Sequence, residues 1–263
     1  MNKFIYFIIL SLINITPTLA TTFTGEVTKV DQAQSNRIIN AQTKQGVEFA
    51  KISIPQKKFR TYTDANGNFE LPKIWINEPT LLKVEKEGYR PFSLTINNVQ
   101  SLNSPLQIEI AQSEPFDIVL DSEILHLGDN SFSKNSANAS EFKIKSMGPY
   151  YSKDFIMTDN AKQSTNYIII GSIVGLDTKL AHQMGQNRIK SGIYSSPAEV
   201  FFNGSKIGEI KINGDGQRIK IPSSLIKADT KNQVTIKTGQ NIVNFDKIDY
   251  DDIEMTNIYI LSE

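Results

Sequence analysis

The side chains that most enzymes rely on for catalysis are scarce in this 263-residue sequence, which has no cysteine and two histidines. It contains no G-x-S-x-G, no H-E-x-x-H and no glycine-rich phosphate-binding motif. His126 lies in an apolar stretch between Ile124 and Leu127, which favours a position in or behind a core and leaves few ways to assemble a Ser–His–Asp triad. A glycosidase with two carboxylates leaves little sequence signature and stays an alternative. The scarcity of reactive residues predicts that the protein is not an enzyme.

Acidic residues are concentrated near the C-terminus at Asp249, Asp251, Asp252 and Glu254, and Asp129 lies in an earlier segment. Calcium requires several hard oxygen ligands from carboxylates and carbonyls. On an alternating strand, Asp252 and Glu254 point to the same face. We predict calcium as a structural cofactor, with Asp129 and Asp252 as its ligands; a solvated acidic loop is the alternative.

A set of aromatic and planar polar side chains falls in predicted loops of the second half of the chain. Sugar sites need flat aromatic faces, against which C–H groups pack, and planar hydrogen-bonding groups around them. Loops that link strands are where such residues gather. Tyrosines that merely stabilise the rim of a β-sandwich are the alternative. The predicted ligand-binding residues are Tyr150, Tyr151, His182, Arg188, Tyr194 and Asn241.

Apolar and polar residues alternate with a period of two through most of the chain, which predicts an all-β protein made of antiparallel sheets. Asn203-Gly204 and Asn213-Gly214 predict hairpin turns, because both residue types tolerate a positive φ. Residues 178–186 have the spacing of a short helix. Strands are predicted at 22–30, 47–54, 59–63, 68–71, 81–86, 92–96, 106–110, 116–120, 124–127, 141–145, 166–174, 199–202, 207–212, 217–221, 233–237 and 253–261.

The N-terminus has the three parts of a secretory signal peptide. Lys3 precedes an apolar run over 4–15, Pro17 breaks it, and Ala20 ends a segment of small residues. The run is shorter than the roughly 20 residues that span a bilayer as a helix, so an uncleaved anchor is the less favoured alternative. Residues 1–20 are therefore a predicted signal peptide, and the mature protein is expected in the periplasm or outside a bacterial cell. The absence of cysteine excludes disulfides, so stability must come from packing and strand pairing.

The polar segment 111–115, which ends in a proline, predicts a domain boundary. It separates a first domain at 21–112 from a second at 113–263. Basic and acidic residues balance at 28 each. A chain without a broad cationic surface is not a dedicated nucleic-acid binder.

Two turn motifs characterise the first domain. Residues 63–69 read T-D-x-x-G-x-F and residues 86–89 read K-x-G-Y. Asp64 can accept hydrogen bonds from amides two residues on, and Gly67 can close the hairpin; a calcium loop is disfavoured because glycine stands at its fourth position. As a set, these motifs resemble the carboxypeptidase regulatory-like domain, a small prealbumin-type or immunoglobulin-like β-sandwich. The resemblance implies an accessory or binding module and names no reaction.

The second domain is similar to the galactose-binding-like jelly roll found in many carbohydrate-binding modules. The segments that carry the resemblance are 200–208, with its aromatic-Asn-Gly hairpin, 221–226, 232–239 and the final strand at 251–260. The resemblance implies a larger β-sandwich, and domains of this type often hold a structural calcium beside the last strand. Because proteins with this fold have many different functions, the function must be inferred from the residues of the binding site.

These observations together predict a secreted, non-enzymatic protein that binds a carbohydrate or cell-surface glycan, assisted by calcium. An adhesion or assembly module that binds another protein through strand edges and loops is the first alternative. An accessory protein with a cryptic glycosidase activity is the second.

Overall fold

The computed structural model describes residues 27–29, 35–71, 78–97, 104–187, 192–243 and 247–263. β-Strands dominate these ranges, which contain one short α-helix, α1 (Lys179–Gln183). The prediction of an all-β protein built from antiparallel sheets in sandwich-like domains is confirmed. No helix within the described ranges is long and apolar enough to cross a membrane. The predicted signal peptide lies outside the described residues.

Two four-stranded sheets from the first part of the chain pack against each other. Their orders are β1-β8-β2-β5 and β4-β3-β6-β7, and all pairs are antiparallel except β2 with β8. Alternating residues such as Ile52, Leu82 and Ile108 form the shared apolar core. The strands are β1 (Val27–Lys29), β2 (Asn36–Asn40), β3 (Lys51–Ile54), β4 (Phe59–Tyr62), β5 (Asn68–Phe69), β6 (Thr80–Glu85), β7 (Phe92–Ile96) and β8 (Leu106–Ile110).

A second pair of sheets follows and encloses its own core, which includes Ile170, Phe202 and Ile236. One sheet has the order β10-β17-β12-β15, with β9 also paired to β17, and the other has the order β11-β16-β13-β14. The strands are β9 (Ile118–Asp121), β10 (Leu125–Leu127), β11 (Tyr150–Ile156), β12 (Asn166–Val174), β13 (Ala198–Phe202), β14 (Ser205–Ile210), β15 (Gly214–Ile221), β16 (Lys231–Lys237) and β17 (Ile253–Ser262).

Local turn chemistry was predictable where the side chain closes its own turn. Asp64 accepts hydrogen bonds from the amides of Asn66 and Asn68, each at 2.8 Å, as expected for a turn and not a calcium loop. Asn203 and Gly204 adopt φ of +49° and +82° between the paired strands β13 and β14. The helix predicted at 178–186 is present as α1, whose first turn is capped by the side chain of Thr178.

Three secondary-structure predictions were wrong or incomplete. Residues 141–145 alternate but form no strand, and the strands at β2 and β11 were not predicted. The Asn213-Gly214 hairpin is also wrong, because β14 and β15 belong to different sheets. The chain passes from one sheet to the other at this point, and the side chain of Asn213 has another role there.

Candidate functional site

A cleft of about 810 Å³ lies between the two sandwiches and is lined by residues from both. The first sandwich contributes residues 78–79, 95 and 97, and the second contributes 139–141, 174–175, 185–187 and 213–215. Carboxamides and carboxylates dominate its polar lining. These groups belong to Asn97, Gln186, Asn187 and Asn213, and to Glu78, Glu141 and Asp215.

Hydrogen bonds of carboxamide side chains stabilise the cleft wall that belongs to the second sandwich. Oδ1 of Asn213 accepts from the amide of Leu176 at 2.7 Å, and its Nδ2 donates to the carbonyl of the same residue at 3.1 Å. The side chain of Gln186 bonds both backbone groups of Asn213, at 2.9 Å each. Asn187 donates to the Leu176 carbonyl at 2.6 Å. These bonds tie β15 to the segment around α1 and explain why Asn213 does not form a hairpin turn.

Gly175 lines the cleft and is closely packed by its neighbours. Gly175 has a φ of +94°, and a Cβ at this position would lie 2.6 Å from the Phe142 ring and 2.7 Å from the carbonyl oxygen of Asp252. Only glycine therefore fits here. Phe142 in turn contacts His126 edge to face, with ring centroids 5.1 Å apart.

The two sandwiches are joined beside the cleft by polar contacts. Asp215 on β15 accepts from the amide of Thr95 at 3.0 Å and from its hydroxyl at 2.6 Å, and also from the Ser172 hydroxyl at 2.6 Å. Burial raises the pKa of the Asp215 carboxyl, although these hydrogen bonds act in the opposite direction. Next to this contact, the hydroxyls of Ser93 and Ser172 lie 2.9 Å apart. These hydrogen bonds stabilise the contact between the two sandwiches, which we call the seam, and the cleft lies next to it.

A buried hydrogen-bond network lies behind the wall and contains three of the predicted ligand-binding residues. Nε2 of His182 is 2.5 Å from Oδ1 of the fully buried Asp177, and the Tyr194 ring packs edge to face on His182 at 4.9 Å. Nδ2 of Asn187 is 3.4 Å from the same Asp177 oxygen, so the network reaches the cleft wall.

The network continues to the acidic segment before β17. Asp251 accepts from the amide of Asp177 at 2.9 Å and from the Ser195 hydroxyl at 2.6 Å. Burial raises the pKa of Asp251 well above its ordinary value, and the nearby Asp177 and Asp252 raise it further. Asn241 donates to Asp249 at 2.8 Å and pairs through its backbone with Ser195. His182, Tyr194 and Asn241 therefore share one network, but Asn241 is buried and none of the three lines the cleft.

The other predicted ligand-binding residues lie elsewhere. Tyr151 is 3% exposed and belongs to the core of the second sandwich, so its ring is not offered to a ligand. Its neighbour Tyr150 points the other way on β11 and is 49% exposed, with Nζ of Lys237 at 5.9 Å from the ring centroid. Arg188 lies outside the described residues. The structure thus separates the two tyrosines from the His182 network.

The predicted calcium ligands, Asp129 and Asp252, are mostly engaged by hydrogen bonds within the protein. Asp129 accepts backbone amides on both oxygens, from Ser131 at 2.9 Å and Tyr250 at 3.0 Å. Oδ1 of Asp252 is bonded by Nε2 of His126 and the amide of Asn130, which leaves Oδ2 as the one oxygen of this pair without a partner. Within the described ranges, no group of three or more His, Asp or Glu side chains is arranged to hold a metal. Calcium usually takes six to eight oxygen ligands, so its binding stays a prediction for titration to test.

Comparison with known proteins identifies the first sandwich. Residues 35–116 match the family model described as a CarboxypepD_reg-like domain. The resemblance read from the turn motifs is confirmed for that part of the chain. The galactose-binding-like resemblance of the second domain stays a prediction.

Two solved structures are similar to part of the chain. One is a β-D-glucuronidase from Dictyoglomus thermophilum, with 12% identity and a TM-score of 0.28 over 57% of this chain and 29% of that one. The other is a Bifidobacterium dentium β-glucuronidase complexed with coumarin-3-O-glucuronide, with 13% identity and a TM-score of 0.28 over 57% and 30%. The chain spans less than a third of the length of either structure, and a similarity this distant indicates neither an activity nor a ligand. No curated protein gives a significant match.

The residues that line the cleft were not singled out from the sequence. Asn97, Gln186 and Asn187 are ordinary loop residues in a linear reading, and Asn213 carried the signature of a turn. They meet because six separate segments of the chain converge between the two sandwiches. The one local signal was the run Gly185-Gln186-Asn187, which overlaps the end of the predicted helix and contains two planar polar side chains.

Proposed function

We propose that this chain is a secreted, non-enzymatic protein that binds a carbohydrate in the cleft between its two sandwiches. The observation that carries the proposal is the cleft of about 810 Å³ with its lining of carboxamides and carboxylates. Ligand sites of small molecules commonly enclose about 300–1,000 Å³ and occur between domains. The size and position of the cleft fit a ligand of one or a few sugar units.

The chemistry of the lining supports a polyhydroxylated ligand. Every sugar hydroxyl both donates and accepts a hydrogen bond. A carboxamide offers the matching donor and acceptor on one planar group, and a carboxylate offers acceptors. No aromatic ring belongs to the described lining residues. The sugar is therefore held by hydrogen bonds to its hydroxyls and not by stacking, which differs from the aromatic platform expected from the sequence.

The state of Asp215 supports binding without catalysis. A glycosidase needs two carboxyl groups that face each other across the scissile bond. Asp215 is the most enclosed carboxylate of the lining, yet it accepts three donors from Thr95 and Ser172 that hold the sandwiches together. A carboxyl engaged in this way is not free to transfer a proton to a leaving group. Sugar bound in the cleft is expected to remain intact on prolonged incubation.

A glycan-array screen of the chain from residue 21 onward tests the proposal, with calcium and with chelator in parallel. Hits are then titrated calorimetrically with two cleft variants, Asn97→Ala and Glu141→Gln, and with Gln163→Ala as a control outside the cleft. Neither cleft residue bonds another described side chain, so both variants should fold. We expect saturable binding that falls about tenfold in each cleft variant, the loss of a hydrogen bond to the ligand, and stays unchanged in Gln163→Ala. Binding to no glycan, or equal binding by all variants, would refute the cleft assignment.

Attachment to another protein is a second candidate function with an observation of its own. Five apolar side chains in and just after α1 and at positions 242, 243 and 248 are 41–68% exposed: Leu180, Met184, Ile242, Val243 and Ile248. Exposed apolar surface of this kind is typical of protein contacts. A cross-linking pull-down with the wild-type chain and with a Leu180→Ser/Ile242→Ser variant distinguishes this function, because cleft binding of a sugar would be equal in both.

A further inference from the structure

Phe49 is a bulky aromatic residue that is both exposed and in a left-handed backbone conformation. Its side chain is 67% exposed, and its φ is +51°, in the left-handed region. Left-handed backbone is unfavourable for residues with a Cβ, and glycine or asparagine normally occupies it. A bulky ring in that conformation gains little from packing here, because most of its surface faces solvent.

The surrounding loop is fixed, so the position of the ring is also fixed. The buried Thr63 forms four hydrogen bonds with the loop. Its backbone carbonyl accepts from the amide of Phe49 at 3.1 Å, and its backbone amide donates to the carbonyl of Ala50 at 3.0 Å. Its hydroxyl accepts from the amide of Ala50 at 2.8 Å and donates to the carbonyl of Val47 at 2.6 Å. The strained residue is therefore held in place by its neighbours. Strain retained in this way is a feature of functional positions.

Two exposed side chains of different kinds lie on β4, the strand that ends beside the Phe49 loop. Tyr62 on β4 is 53% exposed, and Arg60, two residues earlier, is also exposed and points to the same face. Lys51, directly opposite Tyr62 in the β3–β4 pair, is held by Glu85 at 2.8 Å. Arg60 forms no ion pair with a described residue. Arg60 and Tyr62 therefore share one face of β4, and the backbone of Phe49 is bonded to Thr63, the residue after Tyr62. None of the three lines the cleft.

We propose that Phe49, Tyr62 and Arg60 form a second binding site, for an anionic oligosaccharide. The inference rests on the proposed function only in that the ligand is a carbohydrate. Aromatic faces pack against the C–H groups of a sugar ring. A guanidinium binds a carboxylate through two parallel hydrogen bonds. Two exposed rings and a guanidinium without an ion-pair partner among the described residues match a sugar chain that carries carboxylates. The described lining of the cleft, with three carboxylates, disfavours the same chain.

The test separates binding from folding by using the strain at Phe49. Phe49→Gly and Phe49→Asn place residues that tolerate the left-handed conformation, so their melting temperatures should equal that of the wild type or exceed it by up to about 3 °C. Their affinity for an oligogalacturonate tetramer should fall at least tenfold. Phe49→Tyr should bind as the wild type does. A structural role for Phe49 predicts the reverse, a lower melting temperature with unchanged binding.

Arg60 tests the charge of the ligand. Arg60→Gln should weaken oligogalacturonate binding about tenfold, as expected for the loss of a charge-assisted pair, and Arg60→Lys should weaken it less. Lys153→Gln removes an exposed cation from β11 and serves as the matched control. Neutral maltotetraose should not bind this site. No oligogalacturonate binding, or wild-type affinity in both Phe49 variants, or equal binding of the neutral sugar here, would overturn the proposal.

The two carbohydrate sites fail independently. Oligogalacturonate binding that depends on Phe49 and Arg60 but not on Asn97 supports this site, and the cleft is then judged by the array hits alone. Oligogalacturonate binding that depends on Asn97 but not on Phe49 or Arg60 refutes this site. Silence of the chain toward every glycan refutes both.

Discussion

Nε2 of His126 lies 2.8 Å from Oδ1 of Asp252, and neither side chain is reached by solvent. The other ring nitrogen, Nδ1, lies 2.5 Å from the carbonyl oxygen of Ile144. Because a carboxylate and a carbonyl both accept, the arrangement is satisfied when both ring nitrogens carry a proton. Burial alone would lower the pKa of His126, but the bonds to Asp252 and Ile144 outweigh it and raise the pKa above 6.5. The geometry and the direction of this pKa shift both favour a protonated His126 beside Asp252.

Removal of this cation should be costly. We expect His126→Ala to lower the free energy of unfolding by about 3–5 kcal/mol, because it leaves a buried carboxylate without its partner. Urea denaturation measures the change. The double variant His126→Ala/Asp252→Asn should recover part of the loss, since it also removes the buried charge. If the double variant is no more stable than the single one, packing against Phe142 and not charge explains the loss.

The same pair should make stability depend on pH near neutrality. A histidine whose folded pKa is raised stabilises the fold fully below the unfolded value of 6.5, and this contribution is lost as pH rises through the folded pKa. The melting temperature of the wild type should therefore fall as pH increases above about 6.5. His126→Gln should flatten this part of the curve. An identical slope in both proteins would show that His126 is not charged in the folded state.

Asp215 should make the folding stability depend on pH in a lower range than His126 does. Burial raises its folded pKa above 3.8, so the folded state holds the proton more tightly than the unfolded chain does. Its contribution to stability is complete below about pH 3.8 and is lost as pH rises through the folded pKa. Asp215→Asn should remove this part of the pH dependence in thermal melts between pH 4 and 7.

Asp154→Asn is the matched control for that experiment. Hydrogen bonds from Lys231 and Gln233 lower the pKa of this exposed carboxyl. Its contribution is therefore present above 3.8 and lost as pH falls, the opposite sign to Asp215. If the two variants change the curve in the same direction, burial does not control the titration of Asp215.

The sequence predicted features that depend on near neighbours. Asp64 closes its own turn, and Asn203-Gly204 closes its own hairpin, so residue type and spacing were sufficient. Residues 141–145 alternate as a strand does, yet their backbone pairs with no strand of the described ranges, and alternation cannot reveal a missing partner. Asn213 shows the same limit, because it bonds Leu176, 37 residues earlier in the chain. The cleft consists entirely of such distant contacts, which is why its residues could not be found from local patterns.

Gly171 offers a direct test of how the two sandwiches are joined. A Cβ at this position on β12 would lie 2.6 Å from the hydroxyl of Ser93 in the other sandwich and 2.7 Å from Cβ of Asn257. Gly171→Ala should therefore push the sandwiches apart and lower the free energy of unfolding by about 1–3 kcal/mol, as overpacking does. Proteolysis of the connection at 111–117 should become faster, and solution scattering should show a larger radius of gyration.

Gly208→Ala is the control for Gly171→Ala, because its Cβ would meet Ile219 at 2.7 Å within the second sandwich alone. It should also reduce stability, but neither the rate of proteolysis between the sandwiches nor the radius of gyration should change. The cleft depends on the closed seam, so Gly171→Ala should also weaken sugar binding while Gly208→Ala leaves it intact. Unchanged scattering in Gly171→Ala would mean that Ser93 and Asn257 yield locally, and that the seam is not set by close contact at this glycine.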